Sequence, residues 1–131
     1  MYIYYMNKNK RASIHRKAVA QVLEEFATLE VSNVERRRYM RDKYKTLRGC
    51  EDCGYNVHSC ALQLDHLDPD TKFISKSGKR VDPSNMVYQN TTKMFEEYLK
   101  CRVLCSNCHA IHTHTVQRQP RMSVADVRLV A

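Results

Sequence analysis

Two pairs of cysteines in this 131-residue chain have the spacing of a metal-binding knuckle. Cys50 and Cys53 form the first CxxC pair, and Cys105 and Cys108 form the second. Two such pairs far apart in sequence are typical of a site in which four thiolates bind one zinc ion. A disulfide framework is the weaker interpretation, because residues 1–12 contain no apolar signal region and a reducing cytoplasm keeps thiols free. The sequence therefore predicts a structural zinc site in a cytoplasmic protein.

A carboxylate and two imidazoles lie close to these cysteine pairs in the sequence. Asp65 and His66 are neighbours at the end of a stretch that alternates apolar and polar residues, and His109 directly follows Cys108. The neutral imidazole of His66 could take a proton from water near neutral pH, and the hard carboxylate oxygen of Asp65 suits Mg²⁺. These groups could hydrolyse a phosphodiester, a reaction that needs an activated water molecule and a cation near the phosphate.

Each of these three side chains also has a structural interpretation. His66 could be a buried core histidine, Asp65 could cap the turn that follows it, and His109 could replace a cysteine as a zinc ligand. Neighbouring residues on a strand point to opposite faces, although the end of a strand can turn both side chains toward one cleft. The sequence alone leaves the catalytic and the structural interpretations of these three residues open.

The motifs CEDCG, LQLDHLDP, KCRVLC and SNCHAIHT, in this order, resemble those of the zinc-containing HNH endonucleases over roughly residues 45–115. The chain is most similar to the small free-standing members that tailed phages encode, and a homing role fits this resemblance. The resemblance implies a ββα-metal fold, in which two strands and a helix hold one divalent ion. It also implies that His66 is the general base and that Asp65 and His109 bind catalytic Mg²⁺ or another divalent ion. Cleavage would then leave 5′-phosphate and 3′-hydroxyl ends.

One position of the HNH pattern has no clear counterpart in this sequence. The family often carries its central asparagine just before the second strand, where this chain has the residues Tyr98-Leu-Lys-Cys101. Asn85 and Asn90 lie upstream of this stretch and are the two candidates for a side chain that orients the ring of His66. The sequence does not choose between them.

The chain is strongly basic, and its charge is unevenly distributed. Lys and Arg number 22 against 14 Asp and Glu, and the net charge of +8 favours a polyanionic partner. Residues 1–49 hold 12 basic and 5 acidic residues, whereas residues 50–114 hold 7 basic and 8 acidic residues. The N-terminal segment is therefore predicted to bind the phosphate backbone of double-stranded DNA, and a solvated helix surface is the alternative. The predicted DNA contacts are Arg36, Arg37, Arg41 and Lys45.

The periodicity of the sequence predicts the elements that carry these residues. Apolar residues recur at helical spacing from Ile14 to Leu29, and a capping box at Ser32 begins a basic helix that Gly49 ends. The other expected elements are a strand over 61–67, a long loop over 73–90 with at most one short strand, a helix that begins at Asn90 or Thr91 and runs to Lys100, a strand over 101–105, and a helix that begins at Ser106.

The sequence thus predicts an α+β fold, with a ββα-metal core and a four-cysteine zinc site after two N-terminal helices. Its segments are a basic helical DNA-binding segment at 1–49, a nuclease domain with structural zinc at 50–115 and a C-terminal tail at 116–131. No stretch is apolar enough to span a membrane. The predicted function is a metal-dependent endonuclease that nicks or cuts DNA. The alternative is a non-catalytic zinc-ribbon module that binds nucleic acid, which would not need the two histidines and the aspartate.

Overall fold

The computed structural model describes residues 6–117, and the predicted tail from residue 118 onward lies outside them. The chain combines helices with one small antiparallel sheet, which confirms the predicted mixture of elements. Its helices and strands, in chain order, are α1 (Lys8–Phe26), α2 (Asn33–Arg48), β1 (Leu62–His66), α3 (Thr91–Leu99), β2 (Cys101–Cys105) and α4 (Ser106–His112). Short 3-10 helices lie at Ser59–Ala61, Pro69–Thr71 and Pro83–Tyr88, and a π-helical turn follows α4 at Thr113–Gln117.

The two strands pair antiparallel, and the side chains of His66 and Asp65 lie on opposite faces of the resulting sheet. Their register runs from Leu62 opposite Cys105 to His66 opposite Cys101. Leu62 and His66 are buried on the face that packs against the core. Asp65 lies on the other face, where α4 covers the sheet. The strict alternation of a strand therefore holds to its last residue, and the end of β1 does not turn Asp65 and His66 toward one cleft.

Local signals define helix α2 as the sequence predicts. The Ser32 hydroxyl accepts a hydrogen bond from the backbone N–H of Glu35, and the helix ends at Arg48 before Gly49. Gly49 has a φ of 65°, and a Cβ atom there would lie 3.4 Å from the carbonyl oxygen of Tyr55. This position therefore favours glycine because both its backbone conformation and its close neighbour oppose a side chain.

Helix α1 begins earlier than the sequence indicates. The side chain of Asn7 caps it by accepting a hydrogen bond from the backbone N–H of Asn9, and the helix starts at Lys8 rather than near Ile14. The guanidinium of Arg11 pairs with the Glu51 carboxylate through two hydrogen bonds of 3.0 and 2.9 Å. This contact holds the first helical turn against the segment that follows α2, so the turn does not depend on apolar periodicity.

Tyrosines fill the centre of a core that has no tryptophan. The ring of Tyr44 is fully buried, and its centroid lies 5.2 Å from that of Tyr98 and 5.8 Å from that of Phe95. The Tyr44 hydroxyl lies 2.7 Å from Nδ1 of the buried His15. Burial, followed by the charges of nearby arginines such as Arg48, lowers the pKa of His15 to about 4.

The neutral state of His15 makes the fold sensitive to acid. Between the folded pKa of about 4 and the ordinary value of 6.5, the unfolded chain binds a proton that the folded chain does not. The stability that the neutral His15 contributes is therefore fully present above pH 6.5 and is lost as the pH falls toward 4. We expect the free energy of unfolding to drop by about 3 kcal/mol across this range from His15 alone. Urea unfolding at a series of pH values measures this change.

A variant pair isolates the contribution of His15 from other acid-sensitive groups. His15→Gln can still hydrogen bond with Tyr44 but does not titrate, so its unfolding free energy should depend less on pH than that of the wild type. His58 is exposed, and His58→Gln should keep the wild-type dependence. An unchanged pH profile in His15→Gln would show that burial of this imidazole does not control acid stability.

Candidate functional site

The four predicted zinc ligands form one cluster. The sulfurs of Cys50, Cys53, Cys105 and Cys108 all lie within 4.8 Å of one another, and those of Cys53 and Cys105 are 3.7 Å apart. A tetrahedral zinc ion with Zn–S bonds of about 2.3 Å places its sulfurs about 3.8 Å apart. None of the four cysteines forms a disulfide, and the spacing of their sulfurs fits a zinc ion.

Backbone hydrogen bonds shape the first cysteine pair, and the junction of β2 with α4 positions the second. In the first knuckle, the N–H of Cys50 donates to the carbonyl of Tyr55 and the N–H of Gly54 donates to the carbonyl of Cys50, at 2.8 and 2.9 Å. Cys105 ends β2, and Cys108 lies in the first turn of α4. A metal at this cluster would therefore connect the end of α2, the sheet and α4.

The structure brings Asp65 and His109 together on the α4 side of the sheet. Nε2 of His109 lies 3.4 Å from Oδ1 of Asp65, and Nε of Arg102 lies 3.4 Å from Oδ2. The side chain of His109 is 34% exposed and that of Asp65 is 12% exposed, whereas that of Arg102 is buried. Arg102 therefore holds one oxygen of the carboxylate from inside, and the other oxygen faces the histidine near the surface.

This pair offers two ligands to a divalent ion. With metal–ligand bonds of about 2.1 Å, neighbouring octahedral ligands are about 3.0 Å apart, close to the separation of the Asp65 and His109 atoms. Among the residues the structure describes, the only cluster of three or more His, Cys, Asp or Glu ligands is the cysteine cluster. An ion between Asp65 and His109 would thus take its remaining ligands from water and a phosphate, as Mg²⁺ commonly does.

A second histidine of α4 lies near this pair. His112 is buried, and burial, followed by the positive charge of Arg102, lowers its pKa. It is therefore neutral near pH 7. The ring of His112 is buried, whereas that of His109, one helical turn earlier, is partly exposed.

His66 lies apart from Asp65 and His109. Its ring is only 1% exposed, its Nε2 is 2.6 Å from Oε2 of Glu97, and its Nδ1 is buried without a hydrogen-bond partner in the described residues. This environment matches the structural interpretation, a core histidine, more closely than that of a base in contact with water. The role of His66 as general base stays a prediction.

Glu97 is the buried residue that the sequence analysis did not identify. Its Oε2 accepts hydrogen bonds from His66 and from the backbone N–H of Phe73, and its Oε1 accepts one from Lys100. Burial opposes ionisation, but these hydrogen bonds outweigh it and hold the pKa of Glu97 below its ordinary value. The sequence carried one signal for this role, because Glu97 lies at helical spacing from Met94 on the apolar face of α3.

Neither candidate asparagine orients the His66 ring. The side chain of Asn90 caps α3 by accepting a hydrogen bond of 2.8 Å from the N–H of Lys93. Asn85 is exposed within the 3-10 helix Pro83–Tyr88. Glu97 is the side chain that holds the imidazole, so the expected asparagine contact is replaced by a carboxylate contact.

The predicted DNA-binding arginines of α2 are engaged inside the molecule. Nε of Arg37 donates to the carbonyl of Val87 at 2.6 Å, and Nη1 of Arg41 donates to the carbonyl of Ser84 at 3.1 Å. Nε of Arg36 donates to the carbonyl of Leu29 at 3.2 Å. Each guanidinium thus satisfies a backbone carbonyl of a segment that packs against the helix.

Lys45 is also withdrawn from the surface. It is buried in α2, where burial, followed by the charge of Arg41, lowers its pKa. The 3-10 helix Pro83–Tyr88 packs against α2 and accepts the hydrogen bonds of Arg37 and Arg41, whereas Arg36 bonds to Leu29. Their role in binding DNA stays a prediction, whereas the hydrogen bonds of the three arginines within the fold are observed in the structure.

Comparisons with protein-family models, with curated proteins and with solved structures found no match to this chain. Within residues 6–117, none of the helices is both long and apolar enough to cross a bilayer. Function must therefore be inferred from the geometry of the thiolate cluster, of the Asp65–His109 pair and of the buried His66.

Proposed function

We propose that this chain is a metal-dependent endonuclease that hydrolyses DNA phosphodiester bonds on a ββα-metal core. The observation that carries the proposal is the 3.4 Å approach of His109 Nε2 to Asp65 Oδ1, at a point where the histidine reaches the surface. A strand and the helix that follows the next strand supply these two ligands, and the four-thiolate cluster anchors the start of that helix. This arrangement supports the roles that the HNH resemblance implies for both residues.

A divalent ion bound by Asp65 and His109 would supply a positive charge for the phosphate and the leaving oxygen. Arg102 fixes the orientation of the Asp65 carboxylate by bonding its Oδ2, so that Oδ1 stays directed at His109. The first turn of α4 holds the backbone of His109 through the hydrogen bond from the N–H of Cys108 to the sulfur of Cys105. The ligand pair is therefore preorganised by the sheet and by the thiolate cluster.

The proposal also requires a general base, and the resemblance assigns this role to His66. His66 can take a proton from water only if its ring leaves Glu97 and reaches the surface, since the ring is buried as it lies. This burial favours the alternative function, a non-catalytic zinc-ribbon module that binds nucleic acid. The two functions differ in whether the Asp65–His109 pair supports turnover.

Nicking of a supercoiled plasmid in the presence of Mg²⁺ distinguishes the two functions. Zinc-loaded wild-type protein should convert the plasmid to the relaxed form, and His109→Ala should reduce the rate by at least about 100-fold. Even residues that only support a metal ligand contribute about 10- to 100-fold to activity or affinity, so loss of a ligand should cost no less. Because the ring of His109 is partly exposed, its removal should leave the fold intact.

The matched control is His114→Ala, which removes an exposed histidine from the turn after α4. This variant should nick at the wild-type rate when purified in the same way. Undiminished nicking by His109→Ala would exclude this residue as a catalytic ligand. DNA binding without nicking by the wild type, across Mg²⁺ and Mn²⁺, would establish the non-catalytic module instead.

A further inference from the structure

The loop after β1 folds into a small hairpin, which we call the basic hairpin (residues 72–81). Ile74 and Arg80 form an antiparallel bridge, and the N–H of Val81 donates to the carbonyl of Phe73 at 2.9 Å. The N–H of Ser75 donates to the carbonyl of Lys79 at 2.8 Å. The sequence predicts a long loop with at most one short strand here, and the structure adds the bridge that closes it into a hairpin.

The basic hairpin carries unneutralised positive charge. Residues 72–80 contain four basic residues and no acidic residue. Lys76 and Lys79 are exposed, and the ammonium group of neither has a hydrogen-bond or ion-pair partner among residues 6–117. Arg80 approaches Asp70 at 3.6 Å, but these side chains are 58% and 87% exposed, so the pair contributes little. These three cations are available to an anion, in contrast to the arginines of α2.

The hairpin is fixed to the end of the strand that carries Asp65. The N–H of Phe73, at its base, donates to Oε2 of Glu97 at 2.9 Å, and the same oxygen accepts the hydrogen bond from His66. The 3-10 turn Pro69–Thr71 connects the hairpin to β1, and Nζ of Lys100 donates to the carbonyl of Thr71 at 2.8 Å. The hairpin is therefore held at its base by Glu97 and Lys100, beside His66 at the end of β1.

We infer that the basic hairpin, rather than helix α2, is the main contact of this protein with the phosphate backbone of double-stranded DNA. The inference rests on the proposed function for the identity of the polyanion. Lys and Arg side chains, hydroxyls and backbone N–H groups make most phosphate contacts, and the hairpin offers all three through Lys76, Ser77 and Lys79 and its turn. A two-stranded ribbon also fits the major groove of B-DNA.

Charge neutralisation of the hairpin tests this inference directly. The triple variant Lys76→Gln, Lys79→Gln, Arg80→Gln should weaken binding of the zinc-loaded chain to a labelled mixed-sequence duplex, measured by anisotropy without Mg²⁺. Its slope of log affinity against log salt should flatten by about 2.7, which corresponds to about 0.9 for each of three lost phosphate contacts. Because the three side chains are exposed, thermal melting should stay at the wild-type value.

The control removes the same charge from another exposed surface. The control variant carries three substitutions on α1: Lys10→Gln, Arg16→Gln and Lys17→Gln. It should keep most of the affinity and the wild-type salt slope. Equal losses in both triple variants would overturn the inference, because they would show binding to diffuse net charge. An unchanged slope in the hairpin variant would overturn it as well.

Failure of this inference differs from failure of the proposed function. Hairpin-dependent binding by a protein that does not nick plasmid would support the inference and reject the nuclease. If the protein nicks plasmid and the hairpin variant binds DNA as tightly as the wild type, the inference is rejected and the proposed nuclease function stands. A wild-type protein that binds no duplex DNA would reject both.

Discussion

Replacing Cys53 or Cys108 by serine should unfold the part of the chain that the thiolate cluster connects, from the first knuckle through α4. Metal affinity in such a site is folding energy, because the ligands are brought together only in the folded chain. Structural zinc contributes an apparent free energy of about 10–16 kcal/mol, which exceeds the total stability of many domains. Loss of one thiolate from the cluster therefore should not be tolerated by this segment.

The elements around the cluster are short and depend on tertiary contacts for their stability. The sheet has two strands of five residues each, and α4 has seven residues. An isolated two-stranded sheet is marginal in water, and a short helix depends on tertiary contacts. Leu62, Val103 and Leu104 pack into the core, but α4 is joined to the sheet and to the end of α2 through the thiolate cluster, so a bound metal would add the connection that α4 depends on.

Circular dichroism, zinc analysis and thermal melting check this prediction. Cys53→Ser and Cys108→Ser should lose bound zinc and much of their cooperative melting transition. Cys60→Ser is the matched control, because Cys60 is exposed and lies outside the cluster. A strong zinc chelator should bring the wild type to the state of the cluster variants and change those variants no further. Wild-type melting of Cys108→Ser would show that packing, not metal, holds the segment.

Local signals explain which parts of the fold the sequence predicts. The bounds of α2 follow from the cap at Ser32 and the glycine at Gly49, both of which act on neighbouring backbone groups. The strand β2 and the start of α4 follow from the apolar stretch that ends at Cys105. The first turn of α1 could not be predicted in this way, because Arg11 is held by Glu51 from a distant segment.

The same distinction separates the correct and incorrect parts of the site. The cysteine cluster was predictable because each CxxC pair is a local unit, and only the meeting of two units had to be inferred. The environment of His66 could not be predicted in this way, because it depends on which face of α3 carries Glu97 toward the strand. Likewise, charge alone does not show that Arg37 donates to the carbonyl of Val87, since every segment carries such acceptors.

Removal of His66 should have a large effect whether or not the residue is catalytic. The carboxylate of Glu97 is buried and ionised, and His66 is one of its three donors. His66→Ala deletes this donor and leaves a cavity beside the charge, which should cost about 3–5 kcal/mol in the free energy of unfolding. Loss of nicking in His66→Ala would therefore not by itself identify a general base.

His66→Gln separates the two roles, because the amide nitrogen of glutamine can donate to Glu97 in place of Nε2 but cannot act as a base. If His66 is the general base, this variant should keep most of its stability and its zinc, and nicking should fall by about 10²- to 10⁴-fold. If His66 only holds Glu97, His66→Gln should nick at nearly the wild-type rate while His66→Ala loses stability and activity together.

The companion variant Glu97→Gln shows whether the two residues act as a unit. Removing the charge should destabilise the fold, because Lys100 and the N–H of Phe73 lose their ionised acceptor. The double variant His66→Ala, Glu97→Gln should lose less unfolding free energy than the sum of the losses in the two single variants, because both substitutions break the same buried contact. Additive losses would mean that the contact between Nε2 and Oε2 contributes little in solution. His66 could then leave its buried position at low cost, which is the condition that the general-base role requires.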